Sequence, residues 1–138
     1  MTVDGVKLIK TAGSGVVRAP KKVPGDEEVT RLARQAMSDF AAAVKARDLG
    51  VLHRSMSVLW QLRYSAADLE LFLGKHLCSG VDFSQVALHR PVFDQVYIDD
   101  EGLLWMEGYY PASSVGFGLR FVYEPPTWAL HEITVSRE

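Results

Sequence analysis

The stretch Tyr97–Pro111 reads YIDDEGLLWMEGYYP. Three consecutive acids, Asp99, Asp100 and Glu101, stand in its first third, and Glu107 follows further on. Such a run is either a carboxylate site or a turn. An EF-hand loop needs alternating acids and a later glutamate at fixed spacing, and this run has neither. Gly102 suits a left-handed backbone position, so the spacing predicts a three-residue hairpin loop of Asp100, Glu101 and Gly102. Asp99 then pairs with Leu103. The acids become the polar tip of a hairpin, and Glu107 points to the face away from the core.

Working outward from that turn, Ile98 faces Leu104, Val96 faces Met106, Asp94 faces Gly108 and Val92 faces Tyr110. Paired residues share a sheet face. The next loop, PASS, pairs Tyr110 with Val115, Gly108 with Phe117, Met106 with Leu119 and Leu104 with Phe121. The reverse face then brings Trp105 against Arg120, a cation–π pair, and Glu107 against Gly118. With EPPT as the last loop, Tyr123 pairs with Trp128 and Phe121 with Leu130. Ile133 and Val135 then fall out of phase. One extra residue near His131–Glu132 restores them, which predicts a β-bulge there.

Upstream the period is helical. Pro24-Gly25-Asp26 is a start signal, with Glu27 and Glu28 at the positive helix end. Val29, Leu32, Ala33, Ala36, Met37, Phe40, Ala41 and Val44 form one broad apolar stripe. The helix is expected to stop near Arg47, and Asp48 to cap a short second helix carrying Leu49, Leu52 and Met56. SVLWQLRYS leaves helix and strand open. Ser65-Ala66-Ala67-Asp68 has the form of a capping box. Leu69, Phe72, Leu73, His76 and Leu77 make a third helical stripe, ended by Gly80. Three helices followed by an antiparallel meander define an α+β fold with the helices on one sheet face.

A chain of 138 residues is the size of one domain and long enough for a hydrophobic core. Residues 1–25 read as a flexible basic arm of charge +4, and 26–138 as a single domain of charge −6. Within the arm, GVKLI has the makings of an edge strand. Gly13-Ser14-Gly15 lacks the Lys-Ser/Thr ending of a phosphate loop and reads as linker. The acidic domain argues against nucleic acid. The arm reads as a solvated tail rather than a membrane contact. One cysteine, Cys78, permits no intrachain disulfide and fits a reducing, cytoplasmic compartment. No apolar run is long enough to span a bilayer, and no signal-peptide core stands in the first 25 residues.

The helix ending Ala46-Arg47-Asp48, the strand GLLWMEGYYP with its Gly-x-Leu-x-x-x-Gly-x-Tyr pattern, and the terminal WALHEITV resemble the nuclear-transport-factor-2-like superfamily, the cystatin-like α+β cone. The resemblance covers about residues 26–136 and is closest to uncharacterised bacterial members. It implies a curved sheet and a cavity between sheet and helices. The superfamily includes ketosteroid isomerase, scytalone dehydratase, polyketide cyclases, limonene epoxide hydrolase and non-enzymatic binding modules. Fold does not choose among these.

Candidate residues follow from the register. Asp94 falls on the core face opposite Gly108, where a desolvated carboxylate would serve as a general base, aided by Tyr110, His89 or Tyr123. Trp60, Tyr64, Met106, Tyr110, Phe117 and Tyr123 are the candidate lining of a pocket for a small apolar ligand. Phe93, Tyr97, Trp105, Tyr109, Arg120 and Val122 make an apolar reverse face suited to a homodimer. The alternative cover for that face is the N-terminal arm. His76-x-Cys78 points apart on a helix, so no metal site is expected, and no cofactor. No nucleophile elbow or Ser/His/Asp spacing appears. The reading favours a non-catalytic binding or interaction module; the alternative is an isomerase, dehydratase or hydrolase using Asp94.

Overall fold

The computed structural model describes residues 20–77 and 81–137 in full. Of Thr2–Val3, Val6–Thr11, Gly15–Arg18 and Cys78 it describes the backbone. The elements are β1 (Thr2–Val3), β2 (Val6–Thr11), β3 (Gly15–Arg18), α1 (Asp26–Ala46), α2 (Gly50–Ser55), α3 (Val58–Arg63) and α4 (Ala66–Leu73). A 3₁₀ turn (Gly74–Cys78), α5 (Phe83–Ala87), β4 (Val92–Ile98), β5 (Leu104–Tyr110), β6 (Val115–Glu124) and β7 (Thr127–Arg137) complete them.

Helix α1 organises the helical layer. Its first turn carries Asp26, Glu27 and Glu28, favourable at the positive end of the helix dipole. Its apolar stripe is buried from Val29 to Val44. Each such side chain contributes on the order of 1.5–3 kcal/mol when a large aliphatic or aromatic group is removed from water. Arg47 stops the helix in a left-handed conformation (φ 53°), its amide donating to the Ala43 and Val44 carbonyls. Asp48 Oδ1 then accepts from the Gly50 amide at 2.8 Å, turning the chain into α2. Leu49, Leu52 and Met56 are buried as expected.

The ambiguous SVLWQLRYS is helical. Ser57 Oγ accepts the Trp60 amide at 3.0 Å and caps α3. Ser65 and Asp68 form both bonds of the capping box that starts α4. The third stripe is narrower than expected. Leu69, Leu73 and His76 are buried, whereas Phe72 is 60% exposed. Within α4 the side facing the core carries Leu69 and Leu73, four residues apart, and Phe72 falls on the outer side before the 3₁₀ turn begins at Gly74. Five α-helices, not three, occur among the described residues. Helix α5 has Asp82 as its N-cap and packs on α1 through Phe83, whose ring meets Phe40 edge-on at 4.9 Å.

The meander forms one antiparallel sheet in the order β4-β5-β6-β7. Its core face (Leu104, Met106, Leu119, Phe121, Leu130, Ile133 and Val135 among others) shares one cluster with the helices. The Asp99–Gly102 turn is as read: Gly102 has φ 84°, and the Asp99 amide donates to the Leu103 carbonyl at 2.9 Å. The β5–β6 pairs all hold. On β7, Phe121 pairs with Leu130 and Arg120 with Glu132. His131 is therefore the extra residue, and Ile133 and Val135 return to the core. The last loop is tighter than EPPT, since Glu124 itself pairs with Thr127 around a cis Pro125–Pro126 bond.

Strand β4 departs from the expected register. Ile98 and Val96 pair as read, but a bulge lies between Phe93 and Gln95. Phe93, not Asp94, is opposite Gly108, and Val92 is opposite Tyr109. One unpaired residue flips the face of everything before it. The sheet is not strongly curled; what the structure defines is an α+β layer pair rather than a cone.

The GVKLI strand does not extend this sheet. As β2 it pairs with β1 and β3 in a three-stranded sheet of its own. The linker residues Gly13 and Ser14 and the stop at Gly80 lie outside the described residues, whereas Gly15, expected in the same linker, opens β3. No helix among the described residues is long and apolar enough to cross a membrane.

Candidate functional site

The open face of the four-stranded sheet, opposite the helices, carries an ordered row across all four strands. Register aligns Tyr97, Trp105, Arg120 and Glu132 side by side. The Tyr97 and Trp105 rings are parallel within 6° at 5.9 Å. The Arg120 guanidinium lies 3.8 Å over the Trp105 ring and reaches Glu132 at 2.8 Å. Trp105 is anchored from its other side, its Nε1 donating to Asp99 Oδ2 at 2.6 Å. The conspicuous acid at the hairpin tip thus orients an aromatic side chain. Its other oxygen accepts from the Glu101 and Leu103 amides.

Below this row the relief drops. The next rows run Glu107–Gly118–Thr134 and Tyr109–Gly116–Ser136. The glycines leave a groove of about 330 Å³, floored by Gly116 and Gly118 and rimmed by Trp105, Arg120, Glu107 and Asp94. Tyr97 (38% exposed) and Tyr109 (40%) stand free on this face. One expected member does not belong to it: Phe93 turns inward onto Phe117 (edge-on, 5.9 Å) because of the β4 bulge. Val122 alternates onto the same face as Arg120 but is only 4% exposed and stands outside the core cluster. Val92, expected in the core, is exposed here instead.

Asp94 is not buried. It is the unpaired bulge residue, exposed on the groove rim. Desolvation, the physical basis for its role as a base, is absent there. His89 and Tyr123 are not joined to it: His89 is exposed, and Tyr123 packs on Trp128 at 5.3 Å.

The six candidate pocket residues separate into groups. Trp60 and Tyr64 stack at 4.2 Å on the helical side. Tyr110 meets Phe117 at 5.6 Å near the other end of β5. The pairs Leu104–Phe121 and Tyr110–Val115 mark the ends of β5, roughly 20 Å apart at about 3.3 Å per residue. Met106, Tyr110 and Phe117 are buried in the core cluster and fill it. Of these six residues, Trp60 Nε1 and Tyr110 Oη are buried with no hydrogen-bond partner. Burial pushes the Tyr110 phenol up to about 12, partly countered by Arg34.

One polar constellation escaped sequence reasoning. Ser57, fully buried, lies 3.0 Å from His131 Nδ1. Ser57 Oγ also accepts the Trp60 amide, so one hydroxyl joins the start of α3 to the His131 ring. The Ser57 amide donates to the Leu130 carbonyl at 2.7 Å, and Glu124 Oε2 accepts the Val58 amide at 2.9 Å. The β7 bulge therefore bolts α3 to the sheet. Burial lowers the His131 pKa, with Glu132 opposing and Arg120 and Arg63 assisting. The predicted bulge was the available signal, but a bulge does not say which side chain it re-aims. A buried serine without an accessible face is a structural cap rather than a nucleophile. His53 Nε2–H donates to the Tyr64 carbonyl at 2.6 Å. Among the described residues no group of three His, Cys, Asp or Glu is placed to hold a metal ion.

No family model, curated protein or solved structure matches this chain.

Proposed function

We propose that this protein is a non-catalytic interaction module, of the nuclear-transport-factor-2-like kind, that pairs with a second copy through the open face of its sheet. The observation that carries this reading is the cross-strand row Tyr97–Trp105–Arg120–Glu132 beside the exposed Tyr109 and its glycine-floored groove. Tyr, Trp and Arg are the residue types that anchor interfaces, and here three of them are held rigidly before any partner arrives. A twofold dimer needs only one such surface. The carboxylates on the rim oppose close approach unless Arg120 of each copy meets a partner acid, so association is expected to weaken with salt.

The enzymatic alternative required Asp94 to be desolvated near a second polar group. Its exposure on the bulge leaves that reading without a base. Light scattering on a sizing column tests the dimer. Twice the chain mass at micromolar concentration is expected, reverting to one chain mass in Tyr97→Glu/Tyr109→Glu. A monomer in the unaltered protein would sink it.

A further inference from the structure

A cavity of about 470 Å³ lies away from the sheet. That is within the size range of small-molecule sites. It is a depression between the last turn of α1, the 3₁₀ turn and the start of α5. Among the described residues no strand residue lines it, and none of its lining residues belongs to the proposed interaction face.

Its floor is apolar and firmly held. Val44 and Phe83 are buried there, and Leu77 packs on the same core. His76, also in the wall, is 5% exposed and wedged edge-on between Phe40 (5.5 Å) and Phe83 (5.7 Å). The rim is charged and exposed. Lys45 and Arg47 stand on it, with Asp82 as the one acid among the described lining residues. Asp82 is partly engaged, since its Oδ1 accepts the Ser84 amide at 3.0 Å. An apolar floor under two cations and one acid selects a ligand with an apolar body and a single negative head. The negative end of the α1 dipole opposes that head, so the two side-chain cations must supply the attraction and affinity is expected to be modest.

We propose that this depression binds a small amphipathic carboxylic acid, its ring or chain over the partly exposed Leu77 and Val81 and its carboxylate between Lys45 and Arg47. Binding is non-covalent, and no proton or group transfer is involved.

The test is a titration of the full ¹⁵N-labelled chain with 4-phenylbutyrate, following amide shifts, with 4-phenylbutanol and 4-phenylbutylamine in parallel. The acid is expected to shift the amides of residues 41–47, 76–77 and 81–84 saturably. The alcohol should bind there about tenfold more weakly, as the loss of one charge-assisted contact implies, and the amine more weakly still. Lys45→Ala/Arg47→Asn should bring the acid to the alcohol's affinity and leave the alcohol unchanged; asparagine tolerates the left-handed conformation at position 47. Both positions are exposed, so the fold should survive, which spectral dispersion verifies. No saturable shift in these segments up to roughly 10 mM, beyond what a fragment-sized site requires, would overturn the proposal. So would an amine that binds as well as the acid, or a double variant that binds the acid undiminished. A monomeric protein that still binds the acid would remove the dimer and leave this site standing.

Discussion

Gly108 occupies a position where a single methyl group matters. A Cβ there would collide with the Val92 carbonyl and come within 2.9 Å of Phe117 Cζ. The β4 bulge drives the backbone onto this point and Phe93 seats beside it, so neither obstacle is a freely moving side-chain end. Gly108→Ala is therefore expected to cost about 1–3 kcal/mol, the usual range for overpacking, read as a lowered urea midpoint. At Gly116 and Gly118 the same methyl would meet only Ser136 Oγ and Thr134 Oγ1, each at 2.7 Å. Those hydroxyls sit on exposed residues and can rotate away, so alanine there should cost less than at Gly108 while filling the groove. Asp99 makes the complementary point. Asp99→Ala removes acceptors from two backbone amides and the Trp105 indole, and should destabilise by about 1–3 kcal/mol. It should also alter Trp105 fluorescence. Asp100→Ala at the exposed tip serves as the control, with a change within about 0.5 kcal/mol.

Helix α3 is an element whose place depends on one sheet irregularity. Its N-terminus is held by the Ser57–His131, Ser57–Leu130 and Val58–Glu124 bonds. Loss of the cap and of the bond to His131 makes Ser57→Ala expected to cost about 1–2 kcal/mol. The same contacts predict a pH dependence. Burial depresses the pKa of His131, and that of His76, below the ordinary 6.5. The unfolded chain then binds more protons than the folded one between the folded and unfolded values. This contribution to stability is fully present above about pH 6.5 and is lost as pH falls through the folded values. Urea midpoints measured across that window should fall towards acid, and the slope should shrink in His131→Gln. An unchanged slope would place the acid sensitivity elsewhere. At the alkaline end the sign reverses. The Tyr110 phenol is raised from 10 to about 12, so its contribution is complete below pH 10 and is lost between those values as pH rises.

At the scale of the whole molecule, two exposed surfaces differ in kind. The open sheet face is ordered and rigid. Helices α3 and α4 expose Val58, Leu59, Leu62, Leu71 and Phe72, with Leu62 and Leu71 each 82% exposed. Leu62→Lys/Leu71→Lys is expected to leave stability within about 0.5 kcal/mol and the oligomeric state unchanged. If the sheet face joins two copies, the melting temperature should rise with protein concentration, and that dependence should vanish in the Tyr97→Glu/Tyr109→Glu variant.

Much of this architecture was legible before any coordinates. The long stripe of α1, the capping box at Ser65, the Gly102 turn and the β5–β6–β7 register are local rules. They involve periodicity, backbone conformation and pairing between neighbours joined by short loops. The bulge at His131 was legible too, because Ile133 and Val135 fall out of phase without it. The bulge in β4 was not. Shifting Val92 outward and Phe93 inward exchanges one apolar residue for another, so the pattern carries no phase error to detect. Asp94 moved from the expected core to an exposed rim through that one silent insertion. The arrangement of Ser57 against His131, the separation of the expected pocket residues along β5 and the depression at the end of α1 have a common cause. Each depends on how residues distant in sequence are brought together, and only the packing of the helical layer on the sheet decides that. The sequence by itself determined α1, the capped start of α4, the four-stranded meander and most of its register, because those follow from local rules; the tertiary structure decided the helical state of the ambiguous α3 segment and which side chains meet.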